Sequence, residues 1–276
     1  MKCSCAVNND PTDSITRDAV GESIVASEDF WTLPVLPVRL SRNDVHLWRL
    51  ELDQPHLDIL GFASTLSTEE RMRAASFRFE RHRNRFIVAH GALRKILSFY
   101  LNISPHQLRF RNGVYGKPYL AKEFCRVQFS MAHSNELALY AFTIKHRIGV
   151  DLEYIHQIPD VEKMLARFLL RVEDFEMLPN NQKLSAFFTR WTRTEAYAKA
   201  VGTGLAQSFD GFDASLTLEE PACPSSWFIT SFTPAPDYTA SLVVEGHSCI
   251  LHYFEFVPSA ASMKEKIGRN NGLGHS

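Results

Sequence analysis

The chain has 276 residues, 45% of them hydrophobic, and a formal net charge of −1. That length allows one large domain or two small ones with a full core, and the neutral balance excludes a global basic field for nucleic acid, so any charge argument must be local. The cysteines Cys3, Cys5, Cys125, Cys223 and Cys249 form no CxxC pair or metal-spaced set, which fits a reducing compartment better than a disulfide framework. No apolar run reaches the ~18 residues that span a bilayer, and the first residues carry no apolar signal segment. A cytoplasmic protein is expected.

Residues 1–44 read as a largely disordered leader, with Trp31–Pro37 extended on the surface. The folded part begins at Val45, where the loose apolar alternation of Val45–Leu52 predicts a strand. Ser67-Thr-Glu-Glu70 has the pattern of a capping box, with Ser67 as N-cap and Glu70 at the third helical position. A basic stretch follows, with Arg71, Arg73, Arg78, Arg81, Arg83 and Arg85 against Glu80. Phe86, Ala89, Leu93, Ile96, Leu97 and Tyr100 then keep helical spacing, which carries a second helix to about Leu101. The arginines fit either a solvated helix face or an anion site. A small polyphosphate suits the site better than nucleic acid, because no exposed aromatics interleave with the charges.

Gln107–Arg111 predicts a short strand, and Asn112-Gly113 a turn. Gly116 and Pro118 fix the backbone on both sides of Lys117, which is either an ordinary exposed lysine or one held at a defined place. Phe129–Asn135 ends a strand in a polar turn at His133, a residue type that is more often structural than functional. Leu137–Ile144 and Ile148–Glu153 are apolar strands around the turn Lys145-His-Arg147, and read as a hairpin with Glu153 opposite about Leu139. Gly149, Asp151 and Glu153 share one strand face. Two carboxylates spaced in this way lie roughly 6.5–7 Å apart by backbone rise and repel unless water or a divalent cation separates them. Gly149 on that face leaves room for a ligand.

Helical patterns follow at 161–170, 172–178 and 183–201, then β-like segments at 211–218, 227–232, 239–244 and 249–257. Within the long helix Trp191, Glu195 and Lys199 form one stripe, which ends at Gly202 and Gly204. Glu195 and Lys199 fit an exposed ion pair, but Trp191 beside them points to the edge of a cleft. The order of elements predicts an α+β fold of two similar α/β halves with a pseudo-twofold relation. The halves span 45–147 and 148–257, and a loose tail covers 258–276.

The series YGKPYL, FSMAHS, GVDLE and WTRTEAYAKAVGTGL, in this order and spacing, resembles the Sfp-type 4′-phosphopantetheinyl transferases over roughly Val45–Val257. The resemblance implies the fold of that family and Mg²⁺-dependent transfer of the 4′-phosphopantetheine arm of coenzyme A to a serine of an acyl or peptidyl carrier protein. The other product is 3′,5′-adenosine bisphosphate. It implies Asp151, Glu153 and Glu195 as Mg²⁺ carboxylates (Mn²⁺ being an alternative ion), with Glu195 also the base for the serine and Lys199 near the diphosphate. Arg73, Arg85, Lys117 and His133 match contacts to coenzyme A phosphates, and Trp191 a structural tryptophan. Coenzyme A and the carrier are the implied partners of a monomer, with neither nucleic acid nor membrane among them.

Two positions depart from the pattern. Thr194 stands where the family has lysine, which predicts weakened coenzyme A binding unless Arg193, one helical step away, substitutes. The family's SHS-like segment reads Ala132-His133-Ser134. A weak coenzyme A or carrier binder and a Mg²⁺-dependent phosphodiester hydrolase are the competing readings.

Overall fold

The computed structural model describes residues 24–25, 30–35, 38–113, 115–121, 124, 126–158, 178–203, 227–246 and 249–258. The helical pattern at 161–170, all but the last residue of that at 172–178, the strand pattern at 211–218, Gly204 and the tail after Pro258 lie outside them; of the expected leader, residues 24–25, 30–35 and 38–44 are described.

The strands are β1 (Ile24–Val25), β2 (Asp44–Glu51), β3 (Phe110–Asn112), β4 (Pro118–Leu120), β5 (Val127–Ser134), β6 (Leu137–Ile144), β7 (Ile148–Tyr154), β8 (Trp227–Thr233), β9 (Tyr238–Glu245) and β10 (Ile250–Glu255). The helices are α1 (Ile59–Ala63), α2 (Thr68–Ala75), α3 (Glu80–Leu101) and α4 (Asn180–Val201). Two four-stranded sheets result, ordered β10-β2-β6-β5 and β1-β8-β9-β7, beside the small hairpin β3-β4. This is an α+β fold with two sheet-containing halves. No helix is long and apolar enough to cross a membrane among the described residues.

Alternation along the strands sets the layers. Val45 and Leu47 of β2 face the second sheet, in a core shared with Val150, Leu152, Leu242 and Val244. Trp48 and Leu50, on the opposite face of β2, pack with Ala89, Leu93 and Ile96 of α3. On the outer side of the second sheet, Ala196 and Ala200 of α4 lie against Val243. The stack is therefore helix, sheet, sheet, helix. The capping box is present: Glu70 N–H donates to Ser67 Oγ, and Ser67 N–H to Glu70 Oε2 at 2.8 Å. The same Glu70 oxygen accepts from Arg94 Nε at 2.8 Å, which ties α2 to the buried face of α3. α3 ends at Asn102 (φ 52°) and α4 at Gly202 (φ 82°), both left-handed residues that cap a helix.

Three expectations fail. β6 and β7 are not a hairpin: β6 pairs with β2 and β5, while β7 pairs with β9, so Glu153 sits opposite Thr239. β6 is apolar on both faces, and β7 on the face that carries Ile148, Val150 and Leu152. They bury more surface stacked in separate sheets, with Leu139 and Ala141 in the same core as Ile148 and Val150. The room beside Gly149 is filled by α4, since a Cβ there would stand 1.8 Å from the Ala196 carbonyl oxygen. Trp31 is buried rather than on the surface, edge-on to Tyr253 at 5.3 Å and beneath the Arg49 guanidinium.

Candidate active site

The two sheets meet edge to edge at β5 and β7. β7 bonds β9 on one side only, and its other edge is satisfied by side chains. Val150 N–H donates to Ser130 Oγ at 3.1 Å and Tyr154 N–H to Ser134 Oγ at 3.0 Å. Lys117 Nζ donates to the carbonyls of Ile148 and Lys199, both at 2.7 Å. Lys199 Nζ donates to the Val150 carbonyl at 3.2 Å. Ser130 and Ser134 lie four residues apart on one face of β5, and this spacing was the available sign of their role.

Along this seam lies a cavity of about 350 Å³ whose lining includes Tyr115, Lys117, Ser130, Met131, Glu195 and Lys199. The tight turn before Lys117 forms because Gly116 takes φ +83° and Pro118 opens β4. The ammonium of Lys117 is already committed to two carbonyls, with one N–H left to give. Burial, then Lys199, lowers its pKa to about 8.

Asp151, Glu153 and Glu195 interact electrostatically with one another. Asp151 is buried; its Oδ1 accepts from Lys199 Nζ at 2.7 Å, and its Oδ2 has no partner. Burial raises its pKa, against the pull of Lys199. Glu153 is raised by burial in spite of the bond from Ser134 Oγ at 2.9 Å. Burial first, then Asp151, lifts the Glu195 carboxyl to about 7. Trp191 packs at the far end of this stripe beside Phe187.

His133 projects from the opposite face of β5. Its pKa is held down to about 4, by burial first and then by His90, Lys199, Arg73 and Arg85. Its side chain keeps an exposed edge, so a ligand can reach the ring while the surrounding groups hold it neutral. Arg73 is exposed over the Phe86 ring. Arg85 is buried and bidentate to Asp53, with Nε–Oδ1 at 2.9 Å and Nη2–Oδ2 at 2.6 Å, and donates to Asn135 at 3.1 Å. Arg81 shares Asp53. The basic stretch is thus partly neutralised by an acid that its local sequence does not contain. Asp53 and His90 had escaped the sequence reading.

Arg193 does not substitute at position 194. Its Nε donates to Ser231 Oγ at 2.7 Å, toward β8. Thr194 is buried and donates to the Arg190 carbonyl at 3.0 Å.

The seam thus brings acids, cations and an open cavity together, an arrangement able to take an anionic ligand. The sequence comparisons agree. Residues 147–243 match the 4′-phosphopantetheinyl transferase superfamily, and residues 53–145 match the 4′-phosphopantetheinyl transferase N-terminal family. The chain is 39% identical to the 4′-phosphopantetheinyl transferase HetI of Nostoc sp., over 78% of this chain and 93% of that protein. It is 24% identical to the 4′-phosphopantetheinyl transferase Sfp of Bacillus subtilis, over 64% and 81%. It is also similar, at 25% over 51% and 50%, to the mouse L-aminoadipate-semialdehyde dehydrogenase-phosphopantetheinyl transferase. The chain belongs to the 4′-phosphopantetheinyl transferase superfamily and is an enzyme of that kind.

Proposed function

We propose that this chain transfers the 4′-phosphopantetheine arm of coenzyme A to a serine of an acyl or peptidyl carrier protein and releases 3′,5′-adenosine bisphosphate. The observation that carries the site assignment is the buried, unpartnered Oδ2 of Asp151 beside two further carboxyls with raised pKa values. Unpaired buried carboxylate oxygens are costly, and an oxygen-seeking dication relieves that cost. Asp151, Glu153 and Glu195 would hold Mg²⁺, or Mn²⁺ in its place. When bound, the ion supplies charge neutralisation on the diphosphate and on the leaving phosphate.

This chain's own residues do the rest. Glu195, with a carboxyl near neutrality, accepts the proton of the carrier serine as the hydroxyl attacks the β-phosphorus. Lys199 stands by the acids to meet charge that develops on the bridging oxygen. Arg73, with Arg85 held by Asp53 behind it, forms a positive wall for the coenzyme A phosphates, and the neutral ring of His133 can donate one hydrogen bond to them. Lys117 lies at the cavity wall, where its remaining N–H reaches the same ligand. One chain carries all of these groups, so a monomer suffices, and its scattered cysteines fit action in the cytoplasm.

The test is to incubate the full chain with coenzyme A, Mg²⁺ and an apo carrier protein and to weigh the carrier. A mass increase of one phosphopantetheine supports the reading. Coenzyme A consumed without carrier would favour hydrolysis instead.

A further inference from the structure

A second cluster of ligand-type side chains lies at the other edge of the first sheet, far from the acids. The sheet order places β10 and β5 at opposite edges, three strand spacings or roughly 15 Å apart. Asp44 and His46 lie two residues apart on one face of β2, and His252 of β10 is paired with His46 in parallel register. Asp44, His46 and His252 bring one ligand atom each to within 4.8 Å of one another, the one such group of three among the described residues.

The surroundings are those of a built site. His252 Nε2 is buried and has no hydrogen-bond partner, and lies 3.6 Å from Asp44 Oδ1. The other oxygen of Asp44 accepts the Ser41 N–H at 2.9 Å. His46 Nδ1 is 2.9 Å from Tyr100 Oη, which also accepts Trp48 Nε1–H at 2.8 Å. Each candidate ligand on β2 is therefore oriented by a second group, as in metal centres, where the far ring nitrogen of a ligating histidine donates to an outer partner.

We propose that Asp44, His46 and His252 bind a transition-metal dication of the Zn²⁺ type, with a fourth position left to water. Two imidazoles and one carboxylate suit Zn²⁺ and not Mg²⁺, which prefers oxygen alone. With the proton on Nδ1, donated to Tyr100, His46 offers Nε2 to the ion. The ion pins β10 to β2, two strands distant in sequence whose pairing completes the first sheet. This site is independent of the transferase reading.

The test is calorimetric titration of the full, untagged chain with Zn²⁺ in excess Mg²⁺, repeated on His252→Asn and Asp44→Asn. Binding of one Zn²⁺ per chain, weakened at least tenfold in each variant, with carrier modification by His252→Asn unchanged, is the expected result. Co²⁺ gives a second readout: ligand-field bands present in the parent and in Asp151→Asn, and lost in His252→Asn. Zn²⁺ binding that is absent from the parent, or the same in His252→Asn, overturns the proposal.

Discussion

Lys199 Nζ lies 2.7 Å from Asp151 Oδ1, while the other oxygen of this carboxylate is buried without a partner. The lysine therefore balances half of a charge that the fold leaves otherwise uncompensated. It also stands where it competes with a dication for the same acid. Lys199→Met is expected to lower kcat by about a hundredfold, through loss of a cation at the developing charge, and to shift the Mg²⁺ activation midpoint to lower concentration. Steady-state rates across a Mg²⁺ series check both, and a midpoint shifted upward would show that the lysine helps the ion to bind.

Glu195 gives a pH dependence with a definite sign. Its carboxyl is raised to about 7 from an ordinary value near 4.5. A raised folded-state pKa stabilises the fold fully below the unfolded value, and that contribution is lost as pH rises toward the folded one. The metal-free protein is expected to lose on the order of 1–2 kcal/mol between pH 4.5 and 7 from this group, the unscreened value of roughly 2.5 kcal/mol being reduced because the side chain is partly exposed to solvent. Glu195→Gln should flatten that part of the profile while abolishing transfer. Urea unfolding in chelator at pH 5 and pH 8, parent against variant, is the measurement.

Thr194 is expected to limit coenzyme A affinity. Because Arg193 is bound to Ser231, it does not take the place of the lysine usual at this position. Thr194→Lys should lower the KM for coenzyme A about tenfold, the worth of one charge-assisted hydrogen bond, with kcat little changed. Arg193→Ala should leave that KM where it is. Unchanged KM and kcat in Thr194→Lys would remove the argument.

Gly149→Ala should unfold the seam. Its Cβ would meet the Ala196 carbonyl oxygen at 1.8 Å and the Ala200 nitrogen at 2.7 Å, both backbone atoms of α4 that cannot swing aside. A loss of about 3 kcal/mol or more is expected, with activity falling because Asp151 and Glu195 are no longer held together. Chemical denaturation tests the first part, and the second fails if the soluble variant keeps its rate.

Elements with a local signature were legible from sequence. The Ser67–Glu70 capping box, the apolar spacing that carries α3 to Leu101 and the glycine that ends α4 all act within a few residues. The secondary structure under the candidate acids was legible too: GVDLE is a strand that carries Asp151 and Glu153, and WTRTEAYAK lies in the helix that carries Glu195, while their proposed role came from the family resemblance. What local sequence cannot carry is which strand pairs with which. β6 and β7 are adjacent, apolar and joined by a short turn, yet the turn passes from one sheet to the other. The partners of Arg85 were hidden for the same reason, since Asp53 and Asn135 are 32 and 50 residues away.

The parallel pairing of β10 with β2 has a bearing on how the molecule is made. A chain emerging from the ribosome presents β2 and β6 long before residue 250 is synthesised. Until then one flank of the first sheet is an open row of amides and carbonyls, the kind of edge that recruits strands from other molecules. Completion of the first sheet therefore waits on a strand some two hundred residues after β2, and a product stalled before it is left with a sticky border.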